Sequence, residues 1–305
     1  MLHLRIICPE PRRPAVCDLL AAEPGATNVV VLPGAAREPV GDLVMCDVVR
    51  EAASTVLAGL RALGLDTEGS IAVEQVDTAL SRAARAADRA VPGYGVDAVV
   101  WEEIEARTSE ESTLSWSYLA FMTIATLIAG VGVLTDQPVL IVGAMVVGPE
   151  FGPLAGVCVA LVRGHWTALR RSGRALLVGF AVGMAVAFTL TALGRLLGAV
   201  QPAMLDRQAP LTAFISRPDG FSLLVAALAG AAGILSLTSA KSGALIGVLI
   251  SVTTVPAAGN AAVALALGHT WIAGGAALQL LINLLGIVTA GVLVLLLQRR
   301  AAAAR

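Results

Sequence analysis

The chain is short of charge and of aromatic rings. Only 14% of its 305 residues are charged and 4% are Phe, Trp or Tyr. Soluble globular proteins carry charge on about a quarter of their residues, so this surface is not wholly exposed to water. No basic stripe with interleaved aromatics is present, which argues against nucleic-acid binding. The four cysteines, Cys8, Cys17, Cys46 and Cys158, form no CxxC pair and no His/Cys cluster at metal-ligand spacing. They read as reduced structural thiols, and no metal or cofactor is expected. A Walker A loop, GxGxxG, HExxH and a nucleophile elbow are all missing. No enzymatic activity is expected, and without an ATPase domain any transport is passive or ion-coupled. The start MLHLRIICPEPRR does not have the form of a signal peptide, because its short apolar run is interrupted by His3 and Arg5.

What is abundant is apolar residues, at 57%. The few charges are unevenly placed. Residues 1–112 hold 18 acidic against 10 basic residues, and residues 113–305 hold 4 acidic against 11 basic. An acidic soluble part is therefore followed by a basic membrane part.

The soluble part alternates between two periods. Strands are predicted at Leu2 to Cys8, Thr27 to Leu32, Asp42 to Val49 and Gly69 to Val76, with helices at Pro14 to Ala22 and Glu51 to Leu63. Pro33-Gly34 is the expected hairpin turn, and Gly64 ends the second helix. The order βαββαβ is the split βαβ of an α+β ferredoxin-like domain over residues 1–77. A helical linker follows over 78–112, with helices expected at Asp77 to Ala90 and Val96 to Arg107, a break at Pro92-Gly93 and a polar joint at Thr108 to Ser112.

Residues 117–297 carry one hydrophobic design twice. The first copy, Leu134 to Trp166, reads LTDQPVLIVGAMVVGPEFGPLAGVCVALVRGHW. The second, Leu237 to Trp271, reads LTSAKSGALIGVLISVTTVPAAGNAAVALALGHTW. Each begins with Leu-Thr, is broken near its middle by proline, and ends in Val-Ala-Leu followed by Gly-His. Paired Pro/Gly-interrupted spans at matching places in two halves mark a membrane transporter core. At about 20 apolar residues per span, six spans are expected, at 117–134, 138–162, 174–198, 221–238, 243–267 and 271–297. They make up a transmembrane domain over 113–298 with a basic tail at 299–305. Arg163, Arg170, Arg171, Arg174, Lys241, Arg299, Arg300 and Arg305 all fall on one side, against Arg195, Arg207 and Arg217 on the other. Both termini are therefore expected in the cytoplasm. Three spans per repeat then require the second repeat to be inverted.

Glu150 lies within GPEFGP, in the middle of the second span. A carboxylate there is costly and marks a bundle interior or a wet cavity. It is read as a proton-coupling group or cation ligand, and the competing reading is a cap for backbone N–H groups freed by the break. The expected site gathers Glu150 with Gly148, Pro149 and Pro153 from the first break. The second break supplies Thr253, Thr254, Pro256 and Asn260. Asn283 comes from the sixth span, with Gln279 one turn earlier on the same face. For Asn283 alone, a plain interhelical hydrogen bond is the competing reading. Gly148, Gly152 and Gly156 form GxxxG steps, explained by close helix packing. His165 and His269 follow glycines at span ends and read as interfacial, as do Trp166 and Trp271.

GAMVVGPEFGPL (Gly143 to Leu154), together with GALIGVLISVTTVPAAGNAAVALALG and LINLLGIVTAGVLV, resembles the domain of unknown function 389 family over roughly residues 115–295. The family's usual form of the first stretch resembles GAMLISPLMGPI. Glu150 stands where that pattern is apolar, so a role for this carboxyl would belong to a subgroup. The resemblance implies a six-span prokaryotic membrane protein with a cytoplasmic ferredoxin-like domain in front, and implies no activity. Two functions are carried forward. One is a secondary transporter or channel-like carrier of a small solute or ion, proton- or cation-coupled and gated by the cytoplasmic domain. The other is a non-transporting, membrane-anchored sensor or scaffold. Partners in either case are the lipid bilayer and, through glycine-rich faces, further copies in a homo-oligomer.

Overall fold

The computed structural model describes residues 1–76, 79, 81–91, 93, 98–206, 212–216, 219–239 and 253–303. The chain divides into two compact units. One is built on Met1–Glu103, and the second chiefly on Ile104–Leu237 and the residues from 253 onward.

The first unit contains β1 (Leu2–Cys8), α1 (Arg13–Ala22), β2 (Ala26–Arg37), β3 (Val40–Val48), α2 (Arg50–Ala62), β4 (Ser70–Gln75) and α3 (Arg82–Ala90). The sheet is antiparallel, in the order β2-β3-β1-β4, the arrangement a split βαβ produces. In β1 the side chains alternate faces, so Leu2, Leu4, Ile6 and Cys8 enter the core and Arg5 points out. In α2, Ala52, Ala53, Val56, Leu57 and Leu60 recur at helical spacing and bury one stripe against the sheet. All four cysteines are free thiols. Burial, and then the Asp47 charge, pushes the Cys46 thiol up to about 12.

The structure corrects several local expectations here. The β2–β3 hairpin does not turn at Pro33-Gly34. Both strands run on to Arg37 and Val40, and Gly34 sits instead in a register shift between Leu32 and Ala36. Its positive φ suits glycine at a bulge, and its N–H donates to Asp42 Oδ1 at 2.7 Å. α3 begins at Arg82, because the Ser81 hydroxyl caps Ala84 N–H at 2.8 Å. The expected start at Asp77 and the break at Pro92 lie outside the described residues.

The helix expected at Val96 to Arg107 is α4 (Trp101–Glu111); Val96 itself lies outside the described residues. Helix continues through most of the supposed polar joint, since nothing in Thr108-Ser109-Glu110-Glu111 breaks it. Next come α5 (Trp116–Leu134), α6 (Pro138–Val147), α7 (Phe151–Arg163), α8 (Trp166–Leu196), the single turn α9 (Ala203–Asp206), α10 (Gly220–Thr238), α11 (Thr254–Leu267) and α12 (Thr270–Ala303). Among the described residues four helices, α5, α8, α10 and α12, are long and apolar enough to cross a membrane. The bent pair α6–α7 makes a fifth candidate. The fifth expected span is described only from 253, as the 14-residue α11; Lys241 and the rest of 240–252 lie outside the described residues, as do Arg207, Arg217 and Arg305. α8 starts at Trp166 rather than 174, so Arg170, Arg171 and Arg174 stand on helix, where their long stems reach outward.

α11 is the centre of this unit. Every residue in it except Leu265 is buried, and it packs against α5, α6, α8 and α12. The outer helices expose leucines instead, such as Leu177, Leu190 and Leu193 on α8 and Leu278, Leu281 and Leu285 on α12. Trp116, Trp166 and Trp271, each at or beside a helix start, are largely exposed, which suits the water–lipid boundary. The two sequence copies fold locally alike. α7 and α11 both end on a left-handed glycine, Gly164 and Gly268. The next N–H, of His165 or His269, then donates back to Ala160 or Ala264, and a helix of more than 30 residues follows in each case.

Candidate functional site

The first break is Gly148-Pro149-Glu150, and α6 and α7 meet across it at 53°. Pro149 has no N–H to give and drives the preceding residue out of helical conformation, so Gly148 is extended. Pro153 is the third residue of α7, where a missing N–H costs nothing because the first turn has no internal acceptor. The second break repeats this device, with Pro256 as the third residue of α11. Glu150 and Thr253 therefore occupy the same place, immediately before a half-helix.

The breaks touch. Thr254 Oγ1, on the first residue of α11, donates to Glu150 Oε1 at 2.6 Å in the buried interior. Beside it, Thr253 Oγ1 accepts from Asn283 Nδ2 at 2.9 Å, and Asn283 Oδ1 accepts from Gln279 Nε2 at 3.1 Å. Adjacent hydroxyls of one break thus reach the other break and α12. Glu150 is 4% exposed, and its Oε2 has no hydrogen-bond partner among the described residues. It is the only glutamate after residue 111. The remaining carboxylates beyond that point, Asp136, Asp206 and Asp219, belong to the connections between helices or to their ends. Glu150 makes no side-chain capping bond to the first turn of α7.

Close approach explains the three glycines of this stretch. A Cβ on Gly148 would overlap Glu150 Oε2 and lie 2.9 Å from Val255 Cγ2. On Gly152 it would lie 2.5 Å from Glu111 Cβ. On Gly156 it would crowd Ser112 Oγ and Ser172 Oγ, which hydrogen-bond each other at 2.9 Å. The stripe is therefore filled partly by the end of α4 and the residue after it, as well as by neighbouring helices. A partly open cavity of about 340 Å³ lies against the first break, lined by Gly148, Pro149 and Gly152 together with Glu110, Glu111 and Tyr118.

Of the expected site residues, Glu150, Thr253, Thr254 and Asn283 are joined through this network, and Gly148, Pro149, Pro153 and Pro256 shape it. Asn260 is buried two turns into α11 with its Oδ1 unpartnered among the described residues, and no described contact joins it to Glu150. Gln279 enters the network through Asn283. The sequence pattern places Glu110 and Glu111 only in a polar joint. The available signal was two carboxylates at the end of a helix immediately before a span. Among the described residues no group of three His, Cys, Asp or Glu side chains is placed to hold a metal ion.

Residues 145–289 match the family model described as Domain of unknown function (DUF389). The resemblance carried by GAMVVGPEFGPL and the two later stretches is borne out over those residues, and the match begins inside α6. No curated protein and no solved structure matches the chain.

Proposed function

We propose that this protein is a secondary carrier or channel-like transporter of a small solute or ion, working through the meeting point of its two broken helices. The observation that carries the proposal is the Thr254–Glu150 hydrogen bond, which joins the two breaks at a carboxylate. Buried ionisable groups in membrane segments ordinarily serve ion or substrate pathways, and half-helix ends supply partial charges for such a site. In this reading the six spans form two inverted three-span repeats in a prokaryotic plasma membrane, with both termini cytoplasmic and the N-terminal domain as the gate. The matched lengths of α5 and α10, both 19 residues, support the duplication. Gly143 and Gly274 face open space, which offers small-residue surfaces for a homo-oligomer. The reading includes no enzymatic step.

Purified protein in liposomes tests it. Flux of protons or of a small ion should be measurable for the parent and lost in Glu150→Gln. Flux unchanged by that substitution at every pH removes the carboxyl from the mechanism. One observation favours the scaffold alternative: Glu150 is buried and is not itself part of the cavity lining. Its signature is a protein with no flux of any tested ion, in which Glu150 exchanges with no water.

A further inference from the structure

Resting on the reading that the breaks form the functional site, we infer that this site takes a small monovalent metal cation, drawn from the cavity beside Gly148 and held against Glu150 and Thr254. The argument begins with charge. A carboxylate this deeply buried is paired, takes up a proton, or is neutralised by a cation it binds. Among the described residues no Lys or Arg hydrogen-bonds or ion-pairs with Glu150. Three arginines of this unit are directed elsewhere, Arg195 to the Ala266 carbonyl, Arg299 to the Val162 carbonyl and Arg163 to Glu105.

The atoms on offer are hard oxygens. Glu150 Oε2 is unpartnered among the described residues, and the Thr254 hydroxyl is already directed at the same carboxylate. Carboxylate and hydroxyl oxygens suit alkali and alkaline-earth ions rather than soft metals. A single carboxylate balances one positive charge and would leave a divalent ion half-neutralised in a dry interior.

The cavity adds the second observation. A methyl on Gly148 would run into Glu150 Oε2, and Gly148 is also cavity wall. The orphan oxygen therefore lies beside a wall residue of a cavity whose lining also includes Glu110 and Glu111. Glu111 is paired with Arg107 at 3.1 Å, whereas no ion pair engages Glu110 among the described residues. Acid-lined concavities with low-dielectric walls concentrate cations.

Full-length protein purified in detergent, in choline chloride at constant ionic strength, is titrated with NaCl, KCl or LiCl while its thermal midpoint is followed. One of these ions should raise the midpoint saturably, as binding to the folded state requires. Glu150→Gln should weaken that ion at least about tenfold, and Thr254→Val, which keeps the side-chain shape, by several-fold to about tenfold, each tenfold being about 1.4 kcal/mol of binding free energy. Glu110→Gln with Glu111→Gln should weaken it less, and only at low ionic strength. If Glu150→Gln does not fold, the Thr254→Val comparison decides. A midpoint that follows pH but no metal ion, or an ion effect that persists unchanged in Glu150→Gln or Thr254→Val, overturns the inference. Liposome flux separates the two readings. Ion binding without flux sinks the carrier and leaves the site standing, whereas flux indifferent to the metal ion sinks the site and leaves the carrier.

Discussion

Gly148→Ala is the most direct test of the break geometry, because one methyl meets two atoms of the site. The added carbon overlaps Glu150 Oε2 and comes within 2.9 Å of Val255 Cγ2. The carboxylate has to swing aside, which breaks or lengthens its 2.6 Å bond from Thr254. Overpacking a close-packed site costs about 1–3 kcal/mol. A hydrogen bond to a charged group contributes about 1.5–3 kcal/mol, although interhelical bonds in membrane bundles average nearer ~0.6 kcal/mol. The sum expected for Gly148→Ala is a loss of about 2–4 kcal/mol, read as reversible unfolding in mixed micelles. The double-mutant cycle makes the cause specific. With Glu150→Ala the methyl loses its main obstacle, so Gly148→Ala in that background should cost at least about 1 kcal/mol less than in the parent. Additive effects, or a Gly148→Ala protein within about 0.5 kcal/mol of the parent, would refute the packing described here.

Asp136 turns the α5–α6 hairpin and accepts from both the backbone N–H and the hydroxyl of Thr212, at 3.0 and 2.9 Å. Asp136→Ala should cost about 1–3 kcal/mol, seen as a lowered thermal midpoint, whereas Thr212→Ser should retain most of the stability. In the N-terminal unit the Cys46 thiol is held up at about 12 by burial, against about 8.5 for an unfolded thiol. The folded state therefore keeps its proton longer, and the contribution of Cys46 to stability is complete below the unfolded value and is lost as pH rises towards 12. Alkylation mapped by mass spectrometry at pH 8 should mark the half-buried Cys17 well before Cys46, and equal rates would contradict the burial.

Most of the small domain was legible because its signals are local. Alternating burial in LHLRIIC and the Ala52–Leu60 stripe of α2 define their elements without help from the rest of the chain. Pro33-Gly34 misled because a Pro-Gly pair serves a bulge as well as a turn, and the choice was made by Asp42 across the ladder. Both membrane breaks were readable from proline, since a missing N–H has the same consequence wherever it falls. The partners that meet at the breaks were harder to foresee. The Glu150 bond to Thr254 spans 104 residues, and periodicity carries no information on which hydroxyl faces a carboxylate. Glu111 was missed for the same reason. Its position against Gly152 depends on α4 continuing four residues past Arg107, and no breaker in the sequence marks where that helix ends.

α11 has a consequence for biogenesis. Its 14 residues rise only ~21 Å at 1.5 Å each, short of the roughly 30 Å of hydrocarbon a lone helix must traverse. With almost no outward side to offer acyl chains, and threonine and asparagine along its length, it gains little from partitioning into lipid by itself. The ribosome delivers α5, α6 and α8 before it and α12 after it. α11 should therefore settle only when α12 closes over it, and a nascent chain truncated at Leu267 should leave it accessible to aqueous thiol reagents at an introduced cysteine.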